Sequence, residues 1–501
     1  MSNNSSLSGE GILPSPKQDL EAAKATAPPS LDAETNQDPN LITWSGADDP
    51  ENPKNWPNSL KWKNTWVVSL FVFISPVSSS MIAPAMQNLG KSLDMHTDIE
   101  VYLSMAIFIL AYAVGPIFFG PASELYGRVR LLQVSNVWYL AWNLGCGFAT
   151  NKAQLFAFRF LAGIGGSAPL AIGGGAVSDM WNTDDRGKAM GVYTLGPLLG
   201  PVIGPIAGGF IAQYSTWRWV FWATSAAAAG VQAIGFIFLR ECHPATLLRK
   251  RRDRLVKETG NENLHTEEKI ETLAYKLLHA FSRPVLLFTT QPIIFCMAIY
   301  MAYLFGTTYL MLATFPEIWT KVYNQTPSIA GLNYLSIAIG SFTGLLLNLK
   351  LINPIYNTLK TRNNNTATPE FRIPSLALGS LLTTTGLFWY AWSIQKSHWI
   401  MPNIGAAIYT AGTISCLQGI QTYIVDSYQT YAASALAACA ILRSLAGFGF
   451  PLFAPYLYRA LGYSWGTSVL GFGSIGVGWV APAGFWVLGG WLRAKSRFAA
   501  G

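Results

Sequence analysis

The chain has 501 residues, of which 51% are hydrophobic and only 12% charged, with a formal net charge of +8. That charged share is about half that of an average soluble domain, and a soluble core cannot hide so much apolar surface, which excludes a water-soluble enzyme or nucleic-acid-binding protein. The apolar residues fall in charge-free blocks of roughly 20, the length that crosses a ~30 Å hydrocarbon layer at ~1.5 Å per residue, so the sequence predicts an all-α membrane protein.

In chain order, residues 1–63 come first, rich in Ser, Asn, Pro, Asp and Glu with no apolar run before Trp66, and read as a disordered tail. Apolar blocks follow at about 65–86, 101–120, 131–149, 154–178, 189–212 and 217–239, then at about 287–315, 328–349, 375–393, 401–424, 432–456 and 465–491. The first lacks a cleavable signal pattern and serves as the uncleaved entry signal. The pattern predicts twelve transmembrane helices in two six-helix bundles, 64–240 and 287–492, with a tail at 493–501. Such paired bundles are expected of transporters that rock one half against the other around a midplane site. The break, 241–286, carries Arg249-Lys250-Arg251-Arg252, read as a solvated run against anionic lipid.

Assigning alternate loops to opposite sides puts 24 Lys and Arg on the side of the N-terminus and six on the other: Lys91, Lys152, Arg218, Lys321, Lys396 and Arg459. The positive-inside rule then predicts both termini in the cytoplasm. The far side would hold the one outward glycosylation sequence, Asn324-Gln-Thr326, with Pro327 after it. Five scattered cysteines and five scattered histidines give no disulfide framework and no metal site, and no cofactor is expected. Gly90-Lys91-Ser92 lacks the upstream glycine of a phosphate-binding loop, which argues against an ATP-driven pump.

Three stretches carry mechanism. Between the second and third blocks stands Gly120-Pro-Ala-Ser-Glu124-Leu-Tyr-Gly127-Arg128-Val-Arg130, a tight turn with an acid and a base. In the fourth block, Arg159-Phe-Leu-Ala-Gly163 places a guanidinium among apolar residues, and Arg443 does the same in the eleventh. A charge at such depth costs at least ~2.5 kcal/mol, so it should face the bundle interior or water; for Arg159, near a boundary, snorkelling is the alternative. In the fifth block, Gly196, Gly200, Gly204 and Gly208 recur every four residues and form one smooth face for a neighbouring helix. Pro201 and Pro205 remove backbone hydrogen bonds along the same helix and make it bendable.

The turn resembles the signature loop of the major facilitator superfamily, Gly-x-Leu-Ala-Asp-Arg-x-Gly-Arg-Lys, with Glu124 in place of Asp. The fifth block is similar to the antiporter motif of drug:proton exporters, and Arg159-x-x-x-Gly163 looks like another family element. Asp179-Met-Trp, Asp185-Arg186-Gly187, Pro369-Glu-Phe-Arg-Ile-Pro374, Tyr423-Ile-Val-Asp426 and Arg443-Ser-Leu-Ala-Gly resemble fungal twelve-span drug:proton antiporters. The resemblance implies a cytoplasmic charge latch made by Glu124, Arg128, Asp179 and Arg186, and protons as coupling ion. It departs at Gln291-Pro-Ile, where the family often has Glu, and no Asp or Glu lies deep in any block. An uncoupled facilitator of the same fold therefore stays open.

By architecture the substrate sits between the halves at mid-depth, which makes Tyr300, Tyr303, Tyr309, Asn333, Tyr334, Gln418 and Gln421 candidates. An aromatic, uncharged site favours apolar or mildly polar organic molecules. Polyamines would want acids, which are absent, whereas an organic acid would suit Arg159 and Arg443. The expectation is a monomeric exporter of drugs, toxins or secondary metabolites, in the plasma membrane or else the vacuolar membrane, that acts on no nucleic acid and is not an enzyme. Span 5 is expected to lie against a span of the other half.

Overall fold

The computed structural model describes residues 38–267, 272–496 and 498–499, the side chains of Thr183 and Asp184 excepted. The first half holds α1 (Asn58–Ser80), α2 (Asp98–Tyr126), α3 (Arg128–Phe148), α4 (Lys152–Met180), α5 (Thr183–Tyr214) and α6 (Arg218–Phe238). Helices Pro244–Thr259 and Leu273–Thr290 form the linker. The second half holds α7 (Pro292–Lys321), α8 (Pro327–Arg362, with a π-helical turn at Asn348–Ile352), α9 (Ile373–Ser393), α10 (Ile400–Ser427), α11 (432–461) and α12 (463–494).

The break between α11 and α12 is Gly462, whose φ of 68° and ψ of 174° suit glycine and strain other residues. Across it the Thr467 hydroxyl donates to the Tyr458 hydroxyl at 3.2 Å. A straight helix would separate residues nine apart by ~13 Å, so the chain doubles back there.

Nine helical stretches among the described residues are long and apolar enough to cross a membrane by length and composition, and one of them, Gln429–Ala494, holds both α11 and α12. The remaining two spans, α3 and α9, are 21 residues each and carry polar side chains that pair with neighbouring helices. Asn143 donates to Thr224 of α6 at 2.8 Å, and Asn136 to Gln232 at 2.8 Å. Thr384 of α9 pairs with Ser474 of α12 at 2.9 Å. Hydrogen bonds made inside the bundle lower the cost of taking these polar groups into a low-dielectric layer.

Within the first half α1 lies along α5, α2 along α4, and α3 against α4 and α6; within the second, α7 lies against α11 and α12, α8 and α9 along α10, and α9 against α12. The halves meet where α2 crosses α11 and where α5 crosses α8. The tail and the C-terminus mark one face, because Asp49 touches linker residue Arg251 and Ser496 hydrogen-bonds Gln291 at the start of α7. We call this the termini face and the other the distal face.

Two expectations about the termini face change. The described part of the tail, from Asp38 to Pro57, is folded; residues 1–37 lie outside the described residues. Its Ile42 N–H donates to His265 O at 2.8 Å, and the Asp49 carboxylate accepts N–H bonds from Ser45 and Glu51. Those bonds and Arg251 hold Asp49 well below the usual carboxylate range, at about 2. The basic run is not a free lipid-facing stretch either: Arg251 pairs with Asp49 at 2.7 Å, and Arg249 donates to the Glu124 carbonyl at 3.1 Å. The tail's acids supply the partners that composition alone did not reveal. The tail at 493 is anchored in turn, since Arg493 pairs with Glu370 at 2.9 Å.

Candidate functional site

At the termini face, Gly127 takes a φ of 97°, ends α2 and starts α3 in one step. A Cβ there would strike the Glu241 carboxylate, so glycine is needed for the space as well as the turn. Glu241, just after α6, accepts the N–H groups of Arg128 at 3.0 Å and Val129 at 3.2 Å, capping the orphan donors of α3. The Arg128 guanidinium donates to Asp179 at 3.1 Å, at the end of α4, and to the Ser123 hydroxyl at 2.7 Å.

The expected charge cluster is thus only half assembled. Arg128 and Asp179 pair, Glu124 turns instead to Lys276 of the linker at 3.5 Å, and the buried Nε of Arg186 has no hydrogen-bond partner among the described residues. Glu241 was missed because it follows the last residues of a span and no local motif marks it. The second half repeats the device with residues also missed: Arg372 at the start of α9 pairs with Asp426 at the end of α10 at 2.9 Å, and Glu370 with Arg493 in the last turn of α12. The signal was the two-fold repetition of the chain, which places Arg372 where Arg128 stands and Asp426 where Asp179 stands.

The glycine face of α5 does pack closely, but against α1 of its own half rather than across the molecule. A Cβ on Gly204 would lie 2.6 Å from the Val77 carbonyl oxygen, one on Gly200 2.5 Å from Pro76, and one on Gly196 3.1 Å from the Ser69 carbonyl; Gly208 abuts Met81. The four-residue spacing defines a face; it does not choose the partner. Pro201 and Pro205, with Pro197, lie inside the helix. Across the halves, α5 uses the adjacent face: a Cβ on Gly209 would lie 2.5 Å from the Pro327 carbonyl oxygen, and one on Gly331 2.9 Å from that of Pro205.

Polar contacts between the spans of the two halves concentrate at the distal face. Tyr102 donates to Glu317 at 2.8 Å, Ser328 to Gln213 at 2.6 Å, and Arg459 pairs with Asp98. At mid-depth, among the described residues, there is one more, between the Ser79 and Tyr309 hydroxyls at 3.4 Å. Among the described residues, the ion pair that joins the first half to the chain beyond Thr259 at the termini face is Glu124–Lys276, and it runs through the linker. The halves are therefore sealed at the distal face.

The two intramembrane arginines differ. Arg159 is fully buried within the first half rather than snorkelled; its Nε donates to the Ser104 carbonyl at 3.0 Å, its Nη1 to that of Ser78 at 3.2 Å, and it lies 4.6 Å from the Phe108 ring. Arg443 stands eleven residues into α11, ~16 Å from its start. It is partly exposed, its Nε is buried without a partner, and its guanidinium lies 5.1 Å from the Phe305 ring. Tyr309, Cys439, Tyr112 and Tyr193 are within its electrostatic reach, so both halves contribute to its surroundings. Tyr112 also pairs with Ser75 of α1 at 2.5 Å.

Of the predicted substrate residues, only Tyr309 is at this junction. Tyr300 is buried inside the second half, its hydroxyl 2.5 Å from Ser380 and 3.0 Å from Cys416, and the Tyr303 hydroxyl donates to the Leu470 carbonyl. Asn333 accepts from Asn403 at 2.7 Å and donates to Gln325, and Tyr334 donates to the Leu312 carbonyl; both serve the distal end of α8. Gln418 is half-buried and Gln421 exposed, three residues apart on α10. Asn324 is exposed in a left-handed turn, φ 50°, at the distal face. Tyr112, Tyr193 and Phe305 were missed, although the rule that singled out aromatic residues deep in spans 7 and 8 would have found them.

The sequence model of the Major Facilitator Superfamily matches residues 68–451. The chain belongs to that superfamily. This facilitator is 73% identical over 501 residues to the efflux pump vrtL of Penicillium aethiopicum, covering 100% of this chain and 99% of that one. It is 39% identical over 496 residues to the efflux pump radE of Floropilus chiversii, covering 98% and 91%. Among solved structures it resembles a D-xylose–proton symporter, with a TM-score of 0.63 at 14% identity over 85% of this chain and 97% of that one. A bacterial homologue of the human lysosomal transporter Spinster, inward-facing and unoccupied, gives 0.60 at 15% over 88% and 99%. Those two likenesses establish the fold of this facilitator.

Proposed function

We propose that this transporter exports small organic molecules, such as drugs, toxins or secondary metabolites, by alternating access, with protons as the counter-ion. The observation that carries the export reading is the full-length 73% identity to a protein named as an efflux pump, because the helix arrangement alone is common to importers and exporters. With the termini in the cytoplasm, as the Lys and Arg distribution favours, a seal at the distal face corresponds to an inward-facing state. The plasma membrane is the natural site for such an exporter. In the outward-facing state the Arg128–Asp179 and Arg372–Asp426 clusters would serve as the latch at the closed cytoplasmic face.

No carboxylate lies at mid-depth in any span, which favours, as a second reading, an organic-acid carrier or an uncoupled facilitator of the same fold. Uptake of labelled compounds into everted plasma-membrane vesicles, with and without an inside-acid pH gradient, distinguishes them. Export by proton antiport predicts uptake that the gradient drives above the equilibrium level and that an ionophore abolishes. Uptake that stops at equilibrium whatever the gradient would leave the facilitator.

A further inference from the structure

We infer that Arg443 is the recognition point for the negative charge of an aromatic organic anion, a carboxylate, phenolate or enolate on a planar ring system, bound between the two halves. This deepens the proposed function, and rests on it for the direction of transport.

The case begins with charge. Of the two arginines within the spans, Arg159 makes two hydrogen bonds to backbone carbonyls and meets an aromatic face inside one half, leaving its buried Nη2 without a partner among the described residues. Arg443 makes no hydrogen bond and no ion pair with any described residue, and its Nε is buried with no partner. No Asp or Glu of the chain lies deep in a span to neutralise it. A guanidinium held at such depth without a counter-ion is costly, and persists where a ligand or water satisfies it.

Its surroundings define the rest of the ligand. Phe305 presents a ring face 5.1 Å from the guanidinium, and the Phe305 and Tyr309 rings lie 4.9 Å apart, a surface on which a planar aromatic can pack. One helical turn beyond Arg443, a Cβ on Gly447 would lie 3.1 Å from Ile109 of the first half and 3.0 Å from Phe305 of the second, so a molecule that engages Arg443 stands where both moving parts meet. Arginine suits this task better than lysine, since its planar fork pairs with two oxygens of an anion and stacks on rings.

The arrangement also ties binding to movement. Closing the halves over a bare guanidinium would strip its remaining water, whereas a bound anion replaces that water with a charge-assisted pair. A cation would meet like charge at the same point. Arg443 therefore selects anions and favours occlusion only of the loaded carrier.

The test uses the full chain purified in detergent and the same chain in everted vesicles, with three fluorescent probes: anionic fluorescein, cationic ethidium and neutral coumarin. Fluorescein should bind the purified protein and be taken up saturably, and Arg443→Gln should weaken both by about tenfold or more, the loss of one charge-assisted contact. Arg443→Lys should recover part of the affinity. Coumarin handling, the amount of protein in the membrane and the melting temperature should stay within about twofold or a few degrees of the parent. Failure of the parent to bind fluorescein, preference for ethidium, or equal loss of fluorescein and coumarin in Arg443→Gln would overturn the assignment. Binding that depends on Arg443 with transport only in the opposite direction would uphold it and overturn export instead.

Discussion

Glu241 shows how a single side chain organises a face of this transporter: one carboxylate caps the first N–H groups of α3 and stands beside a glycine that leaves it room. The guanidinium it positions, Arg128, is mostly buried with Asp179, so truncation removes a charged hydrogen bond worth about 1.5–3 kcal/mol. Arg128→Ala is expected to slow transport several-fold at unchanged protein level; unchanged rate and unchanged cysteine accessibility from the cytoplasm would discard the latch. His243 sits against the same cluster, and burial first, then the charges of Arg128, Arg249 and Lys276, lower its pKa to about 4. It folds neutral, so stability is full above about pH 6.5 and falls as acid forces a proton onto it down to about pH 4. The melting temperature should drop across that interval, and His243→Gln should flatten the drop. Arg128 and Asp179 were legible as residues in the sequence; their partner Glu241, 113 positions further on from Arg128, was not.

Among the elements, α5 best separates pattern from placement. Its four-residue glycine repeat guaranteed a close approach, since residues four apart share a helix face. That the approach is to α1 follows from bundle packing, where backbone atoms of Ser69, Val77 and Met81 fill the space that the missing side chains leave. Gly204→Val would push a branched side chain into the Val77 carbonyl and cost about 1–3 kcal/mol. We expect normal membrane levels with export lost or replaced by leak, while Ile203→Val, on an exposed position, should be nearly silent. Vesicle uptake beside an immunoblot decides it, and full activity in Gly204→Val would remove the role assigned to this helix. The tail was the other misplaced element: it reads as disordered from composition, yet Arg251 and Arg254 of the linker pair with its Asp49 and Glu51.

For the whole molecule, the seam at the distal face sets the state. It is closed by Tyr102–Glu317, Ser328–Gln213 and Arg459–Asp98, and by glycine contacts between α5 and α8. Gly331→Val places a side chain against the Pro205 carbonyl and should wedge that seam open. A cysteine introduced at Ile109, at mid-depth beside Gly447, should then become more reactive to an impermeant thiol reagent applied from outside, with transport reduced. Unaltered labelling would show that α5–α8 contact does not control access. Because such a wedge acts on an equilibrium between two states, about 1.4 kcal/mol suffices for a tenfold shift.

By itself the sequence determined that this chain lives in lipid, crosses it twelve times in two similar sets, and belongs among facilitator-type transporters, because span length, hydropathy and short signature turns are local properties written in consecutive residues. Which residues confront one another was decided only by tertiary structure. Arg159 and Arg443 look alike in sequence, each a guanidinium in an apolar helix. Packing gives the first two carbonyls from α1 and α2 and leaves the second facing aromatic rings at the junction of the halves. A charge in a membrane is defined by what surrounds it, and those surroundings come from helices far apart in the chain.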